Sequence, residues 1–237
     1  MASLLLITTL ILETNNMKKI VIVLSGIIFI NAQGCEGKMI NKRKNKLITY
    51  QSKRNFSHTR EPLNFKINKR KDKNLKFVIQ KHAASHLHYD FRLEIDGVLV
   101  SWAVPKGIPT KKEKHLAIMT EDHPLDYATF EGTIPQGEYG GGTVMVWDIG
   151  TYKNIKMKNG KPVPINTALK NGQVEVNLDG KKLHGNYALI RYKDSDRNNQ
   201  WLMIKMHDEP GTPRSKINQR SALTGRTMKQ ITKEEAS

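Results

Sequence analysis

His82, His88, Asp90 and Arg92 fall within eleven residues of the chain, and their types and spacing suit metal-assisted phosphate chemistry. Two imidazoles and a carboxylate form a ligand set for Mn²⁺, Fe²⁺ or Zn²⁺, and the absence of thiolate argues against a structural zinc site. His88 and Asp90, at i and i+2, project side by side from one face of a strand and can reach one ion. Arg92 follows two residues on, about 6–7 Å along the strand, within range to grip a phosphate held by that ion. His86 shares the same parity. These residue types are also ordinary on a solvent-facing strand, and spacing alone leaves both readings open. A second cluster, Thr120-Glu121-Asp122-His123-Pro124-Leu125-Asp126-Tyr127, gathers three acids, a histidine and a tyrosine into eight residues. Pro124 ends the preceding strand, which puts His123 on a loop, where catalytic side chains are often presented. Alone, this segment also reads as an acidic turn.

The elements that must carry these groups are short strands. Leu87 to Ile95 alternates apolar and polar residues, the period of a half-buried strand. Asp96-Gly97 supplies the two positive-φ positions of a tight hairpin. That turn pairs Ile95 with Val98, Leu93 with Val100 and Phe91 with Trp102. One face then carries Leu87, Tyr89, Phe91, Leu93, Ile95, Val98, Val100, Trp102 and Val104 as a core. The other carries His88, Asp90, Arg92 and Glu94 opposite Ala103, Ser101 and Leu99, leaving room beside Asp90 and Arg92. His82 belongs to a bend or strand end just upstream. Leu116–Met119, Thr143–Trp147, Gln173–Leu178, Lys181–Leu183 across Asp179-Gly180, Tyr187–Tyr192 and Trp201–Lys205 read as further strands. The glycines from Gly137 to Gly142 read as a bulge and turn, because no helix follows to make a phosphate-binding loop. Clear amphipathic helices are scarce. Seven to nine short strands predict an all-β fold, a barrel or sandwich.

Lys and Arg number 39 against 22 acids, a formal net charge of +17 over 237 residues. From Met39 to Lys81 the chain has 14 Lys and Arg against Glu61 and Asp72, so +12 of the excess sits there. Its densest parts, Asn41–Lys46 and Lys66–Lys76, read either as arms along a phosphate backbone or as a solvated tail. Lys153 to Lys170, with five lysines and no acid, reads as a basic loop. The single cysteine, Cys35, excludes a disulfide framework, a cysteine-based zinc site and an iron–sulfur cluster. Residues 1–38 stand apart. Apolar runs at Leu4–Leu12 and Ile20–Ala32 are shorter than the ~18–20 residues of a membrane-crossing helix. Met17-Lys18-Lys19 before the second run gives it the shape of an export signal, and Gly34-Cys35 resembles a lipoprotein cleavage site. An export signal, an anchoring extension, and a chain whose true start is Met39 are three readings of this segment.

The chain resembles the 3′-phosphoesterase domain of bacterial and archaeal DNA ligase D, including its stand-alone forms. The resemblance is carried by Phe77-Val-Ile-Gln-Lys-His82 with Leu87-His-Tyr-Asp-Phe-Arg-Leu-Glu94, by Ser101-Trp-Ala-Val-Pro-Lys106-Gly107, by Glu121-Asp-His-Pro-Leu-Asp-Tyr127 and by Phe130-Glu-Gly-Thr-Ile-Pro-Gln-Gly-Glu-Tyr-Gly140. It runs from about Tyr50 to Glu209. It implies a compact antiparallel β-barrel with a concave active-site face and basic terminal arms. It implies a Mn²⁺-dependent enzyme that removes a 3′-terminal ribonucleoside and then the 3′-phosphate from a primer strand, leaving a 3′-hydroxyl. The implied metal ligands are His82, His88 and Asp90. The implied phosphate-gripping and catalytic positions are Arg92, His123, Glu121, Tyr127, Lys106 and Arg54. His115 stands where a basic residue is common and is expected to contact phosphate.

The implied layout is an extension at 1–38, a basic arm at 39–75, the barrel at 76–209 and a tail at 210–237. Asn55 stands where the family often has aspartate, which predicts weakened ribonucleoside removal. Duplex or primer–template 3′ ends are the expected partner, with a separate ligase, polymerase or Ku-like protein beside them and no membrane for the core. A DNA substrate favours Met39 as the start and a cytoplasmic location; residues 17–35 as a true signal would mean export. The rival expectation is a non-catalytic nucleic-acid-binding barrel.

Overall fold

A computed structural model describes residues 45–63, 75–192 and 199–235. The extension at 1–38 lies outside the described residues, as do most of the two dense basic runs. In chain order the strands are β1 (Leu75–Ala83), β2 (Leu87–Ile95), β3 (Val98–Val104), β4 (Lys114–Met119), β5 (Gly132–Ile134), β6 (Gly142–Asn154), β7 (Met157–Lys158), β8 (Lys161–Pro162), β9 (Gln173–Gly180), β10 (His184–Arg191) and β11 (Gln200–Lys205). Eight of them run β1-β2-β3-β4-β11-β10-β9-β6, and β6 pairs back with β1 to close an antiparallel barrel. Closure removes the open edges that a sheet would otherwise expose. The short β5 pairs with the first residues of β6, and β9 with its last.

The β2–β3 hairpin has the register expected from its alternation, Ile95 opposite Val98 through Tyr89 opposite Val104. Asp96 and Gly97 sit at φ 53° and 81°, as the tight turn requires. The odd-numbered face of β2 and its partners on β3 fill the barrel: Phe91, Leu93, Ile95, Val98, Val100 and Trp102 are at most 1% exposed. Trp102 meets Trp201 edge-on at 5.6 Å between ring centroids. Burying each large side chain of this kind contributes roughly 1.5–3 kcal/mol. Leu87 departs from the expected core face and is 53% exposed, because it begins β2 at the rim beyond the interior.

The even-numbered face of β2 is covered too. A helix, α1, spans residues 45–52 among the described residues, and its Leu47 and Tyr50 are buried. The return loop is tied down by the Tyr50 hydroxyl, which donates to Pro62 O at 2.9 Å. A short 3-10 helix, Leu125–Thr129, adds Tyr127 and Ala128. Tyr50, Val78, Leu99, Tyr127, Ala128 and Val146 form a second apolar cluster outside the barrel wall. The 45–63 part of the basic segment is thus packed against the wall.

Two other expectations change. Lys181–Leu183 is a turn, and the strand is His184–Arg191, because the Asp148 carboxylate accepts from the Ile149, Lys182 and Leu183 amides and holds that bend. Lys153–Lys170 is no single loop. It holds the β7–β8 ribbon, turned by Asn159 and Gly160 at positive φ, and then α2 (Ile165–Lys170). At the C-terminus α3 (Met228–Glu235) buries Ile231. Among the described residues no helix is long and apolar enough to cross a membrane.

Candidate active site

The β1–β2 hairpin sets His82 directly opposite His88. Asp90 lies two residues further along the same outer face, and one ligand atom from each of the three falls within 4.8 Å of the others. His82 Nδ1 is 3.7 Å from Asp90 Oδ2, and His88 Nε2 is 3.8 Å from Asp90 Oδ1. The remaining ring nitrogens face backbone carbonyls: His82 Nε2 is 2.9 Å from Gly140 O, and His88 Nδ1 is 2.9 Å from His86 O. A carbonyl accepts only from N–H, so in the neutral rings the other two nitrogens turn lone pairs toward the carboxylate. Lone pairs facing a carboxylate repel unless a cation lies between them. Backbone carbonyls that fix the tautomer are the usual outer support of histidine ligands. The donor set therefore fits a divalent transition metal. Gly142 holds this corner closed, since a Cβ there would lie 2.3 Å from Ala83 O, next to His82.

Asp90 is also tied to Arg92. Burial pushes the Asp90 carboxyl up, but the Arg92 charge, joined by the two imidazoles when they are protonated, outweighs it and holds it below the usual range. Arg92 is 3% exposed, and its guanidinium is held on every side. Nε donates to Gln80 Oε1 at 2.7 Å, Nη1 to Ser101 Oγ at 2.8 Å, and Nη2 to Asp90 Oδ2 at 3.1 Å. Gln80 is locked in turn, donating to Tyr127 O and Phe130 O. The Tyr127 ring lies under the guanidinium, 4.9 Å from its carbon.

His123 enters beside this arginine. Reciprocal backbone bonds with Leu99 fasten it to β3. Its Nδ1 is 2.8 Å from both Arg92 Nη1 and Glu121 O, so the tautomer decides which it engages. Nε2 is 3.4 Å from Arg54 Nη2. Burial, then the charges of Arg92 and Arg54, push the imidazole well below its ordinary range. Protonation of His123 therefore opposes folding. The stability it contributes is present above about pH 6.5 and is lost as pH falls below that value. Thermal melts between pH 8 and pH 5 are expected to drop more steeply for the wild type than for His123→Gln; parallel curves would show that His123 does not titrate against the two arginines.

Arg54 follows the C-terminus of α1, on the face of Leu47 and Tyr50. It donates to Glu61 Oε1 at 2.8 Å, Tyr50 O at 3.0 Å and Glu121 Oε1 at 3.3 Å, and stacks 3.8 Å from the Tyr50 ring. Tyr127 donates its hydroxyl to the same Glu61 carboxylate at 2.9 Å. The carboxylate of Glu121 takes Arg54 and Lys53, and it is the backbone carbonyl of Glu121 that reaches His123.

Eight sequence-predicted residues thus meet in one site: His82, His88, Asp90, Arg92, His123, Glu121, Tyr127 and Arg54. Lys106 is exposed in the turn after β3, and His115 on β4 turns to Gly107 O and Glu113. Asn55 accepts from Ser57 in a local turn. Gln80, Ser101 and Glu61 were missed. Gln80 shares the parity of His82, a readable signal; Glu61 gives none.

A closed antiparallel barrel whose outer wall presents a metal-ligand triad beside buried arginines fits the class of metal-dependent hydrolases. Comparison with known proteins narrows the class. Residues 80–191 match the family described as the DNA Ligase D 3′-phosphoesterase domain, and the chain belongs to that family. It is 47% identical over 165 residues to the multifunctional non-homologous end joining protein LigD of Mycolicibacterium smegmatis, covering 69% of this chain and 21% of that protein. It is 46% identical over 163 residues to the protein of the same name from Pseudomonas aeruginosa, covering 68% and 19%. It is 48% identical over 165 residues to the multifunctional non-homologous end joining DNA repair protein LigD of Mycobacterium tuberculosis, covering 69% and 20%. The chain spans about a fifth of the length of these relatives.

Proposed function

We propose that this protein heals DNA 3′ ends, removing a 3′-phosphate or a 3′-terminal ribonucleoside from a primer strand to leave a 3′-hydroxyl. The observation that carries this reading is the direct contact between the metal-ligand triad and the Arg92–His123–Arg54 line through Asp90. Mn²⁺ is the proposed ion, held by His82, His88 and Asp90. Bound there, such an ion polarises a phosphoryl oxygen and lowers the pKa of coordinated water.

The chain's own residues do the rest. Arg92 and Arg54 aim guanidinium N–H groups at phosphate oxygens, in a buried setting where charge stabilisation is strong. Gln80, Ser101 and Glu61 fix those guanidiniums before substrate arrives. In hydrolysis the water oxygen bonds to phosphorus, the phosphorus–oxygen ester bond breaks, and the leaving oxygen gains a proton. His123 delivers that proton. A phosphate anion beside it offsets the two arginine charges and restores the imidazole's affinity for a proton. Tyr127 supports Arg92 from below and links it to Glu61. Lys106 lies two residues beyond Val104, the partner of Tyr89, at the rim that carries His88. There it serves neighbouring backbone phosphates, with His115 further along. A DNA substrate implies a cytoplasmic site of action, in company with a ligase, a polymerase or a Ku-like protein.

The test uses duplexes with a recessed strand ending in 3′-phosphate or in one ribonucleotide, incubated with Mn²⁺, Mg²⁺, Zn²⁺ or chelator. Conversion to 3′-hydroxyl in Mn²⁺ and its loss in chelator are expected. Slow ribonucleoside removal, raised severalfold by Asn55→Asp, would show what the missing carboxylate does. DNA retained without conversion would point instead to a binding barrel.

A further inference from the structure

A polar cavity of about 370 Å³ opens on the far side of Glu121 from the metal-ligand triad. That volume lies at the small end of ligand sites, roughly 300–1,000 Å³. It connects to the arginines through an unbroken series of contacts. Arg54 Nη1 reaches Glu121 Oε1 at 3.3 Å, and Glu121 Oε2 meets Lys53 Nζ at 3.1 Å and the Tyr139 hydroxyl at 3.3 Å. Lys53 and Tyr139 both line the cavity. The segment that carries Tyr139 also touches the triad, because the next residue, Gly140, accepts from His82. One loop therefore borders both the triad and the cavity, with the arginine pair between them.

The walls have mixed chemistry. Ile118 and Met119 give an apolar side, Thr49 a hydroxyl, Lys53 a cation, and Glu121 and Asp122 carboxylates. Tyr139 is 46% exposed, yet its hydroxyl is fixed by Lys53 and Glu121, and the Lys53 ammonium lies 4.4 Å from its ring. Arg54 also lies over this ring, 5.5 Å from its centroid, and the part of the ring left exposed is a stacking surface for a base, worth about 1–3 kcal/mol in nucleic-acid complexes.

We infer that this cavity is the subsite for the terminal ribonucleoside, with its base on Tyr139 and its sugar hydroxyls toward Thr49 and Lys53. The inference rests on the phosphoesterase reading above, since it needs the scissile phosphate at Arg92 and Arg54. A nucleoside in the cavity then lies on the leaving side. Water adds to phosphorus, the phosphorus–O5′ bond breaks, and the freed 5′-oxygen takes a proton as the nucleoside departs. A strand that ends in phosphate alone has nothing to place there.

The two substrates separate the roles. Thr49→Phe, at an exposed position of α1, fills the cavity without touching the triad or the arginines. It is expected to lower kcat/KM for the 3′-ribonucleotide end at least tenfold and to change that for the 3′-phosphate end less than twofold. Tyr139→Phe keeps the ring and is expected to retain more ribonucleoside removal than Tyr139→Ala. Equal loss on both substrates, or no loss on either, would overturn the subsite. Failure of the wild type to convert either substrate in Mn²⁺ would instead overturn the phosphoesterase reading itself.

Discussion

Asp90→Asn is expected to lower turnover at least about 10³-fold while the protein still melts cooperatively. The size follows from what the carboxylate joins. It is the one anionic member of the ligand triad, and it also receives Arg92 Nη2 at 3.1 Å. Loss of a Lewis acid worth several kcal/mol removes about a factor of ten per 1.4 kcal/mol. The amide keeps the shape and one acceptor oxygen, so Arg92 retains a partner. Some stability is still lost, because Asp90 is 6% exposed and truncating a buried ion pair leaves a charge uncompensated. Activity alone would not distinguish a lost ligand from a loosened site. The second measurement is the melting temperature with and without added Mn²⁺. The ion is expected to raise it for the wild type by preferential binding to the folded state and to leave Asp90→Asn unmoved. His88→Ala should behave the same way. Near-normal turnover, or an undiminished Mn²⁺ shift in both variants, would remove these residues from the metal site.

The sequence carried the His88 and Asp90 half of the triad because local rules fix it. Alternation along Leu87–Ile95 and the Asp96-Gly97 turn settle which face each residue takes, and the observed register follows. His82 was legible as a neighbour but not as the direct cross-strand partner of His88, since that depends on the β1–β2 connection. The hidden parts of the site come from long-range packing. Glu61 lies in a stretch whose charge suggests a loose arm, and only burial of Leu47 and Tyr50 on the barrel wall brings it to Arg54 and Tyr127. Glu121 was expected among the phosphate-gripping and catalytic positions. No local pattern shows that its carboxylate instead faces Lys53 and Arg54, across the boundary between barrel and helix. The same limit explains the turn at Lys181–Leu183, set by Asp148 more than thirty residues away.

Arg92→Lys tests whether the site needs a charge or a shape, and turnover is expected to fall about 10²-fold or more. Lysine keeps the positive charge in place on β2. If Coulomb attraction to phosphate were sufficient, the variant would stay within a few-fold of the wild type. The guanidinium does more than carry charge. Its three nitrogens reach Gln80, Ser101, Asp90 and His123, and its carbon lies over the Tyr127 ring. An ammonium is a point charge on a flexible stem and cannot hold a planar fork. With lysine, Gln80 Oε1 and Ser101 Oγ lose donors in a buried setting, where each unsatisfied group costs about 1–3 kcal/mol. The phosphate loses the remaining N–H of the guanidinium at the same time. The ligand triad stays intact, so the Mn²⁺ melting shift is expected to survive in Arg92→Lys, in contrast to Asp90→Asn. Loss of both the shift and the activity would mean that Arg92 acts by positioning Asp90. Retained shift with lost activity assigns it to the phosphate.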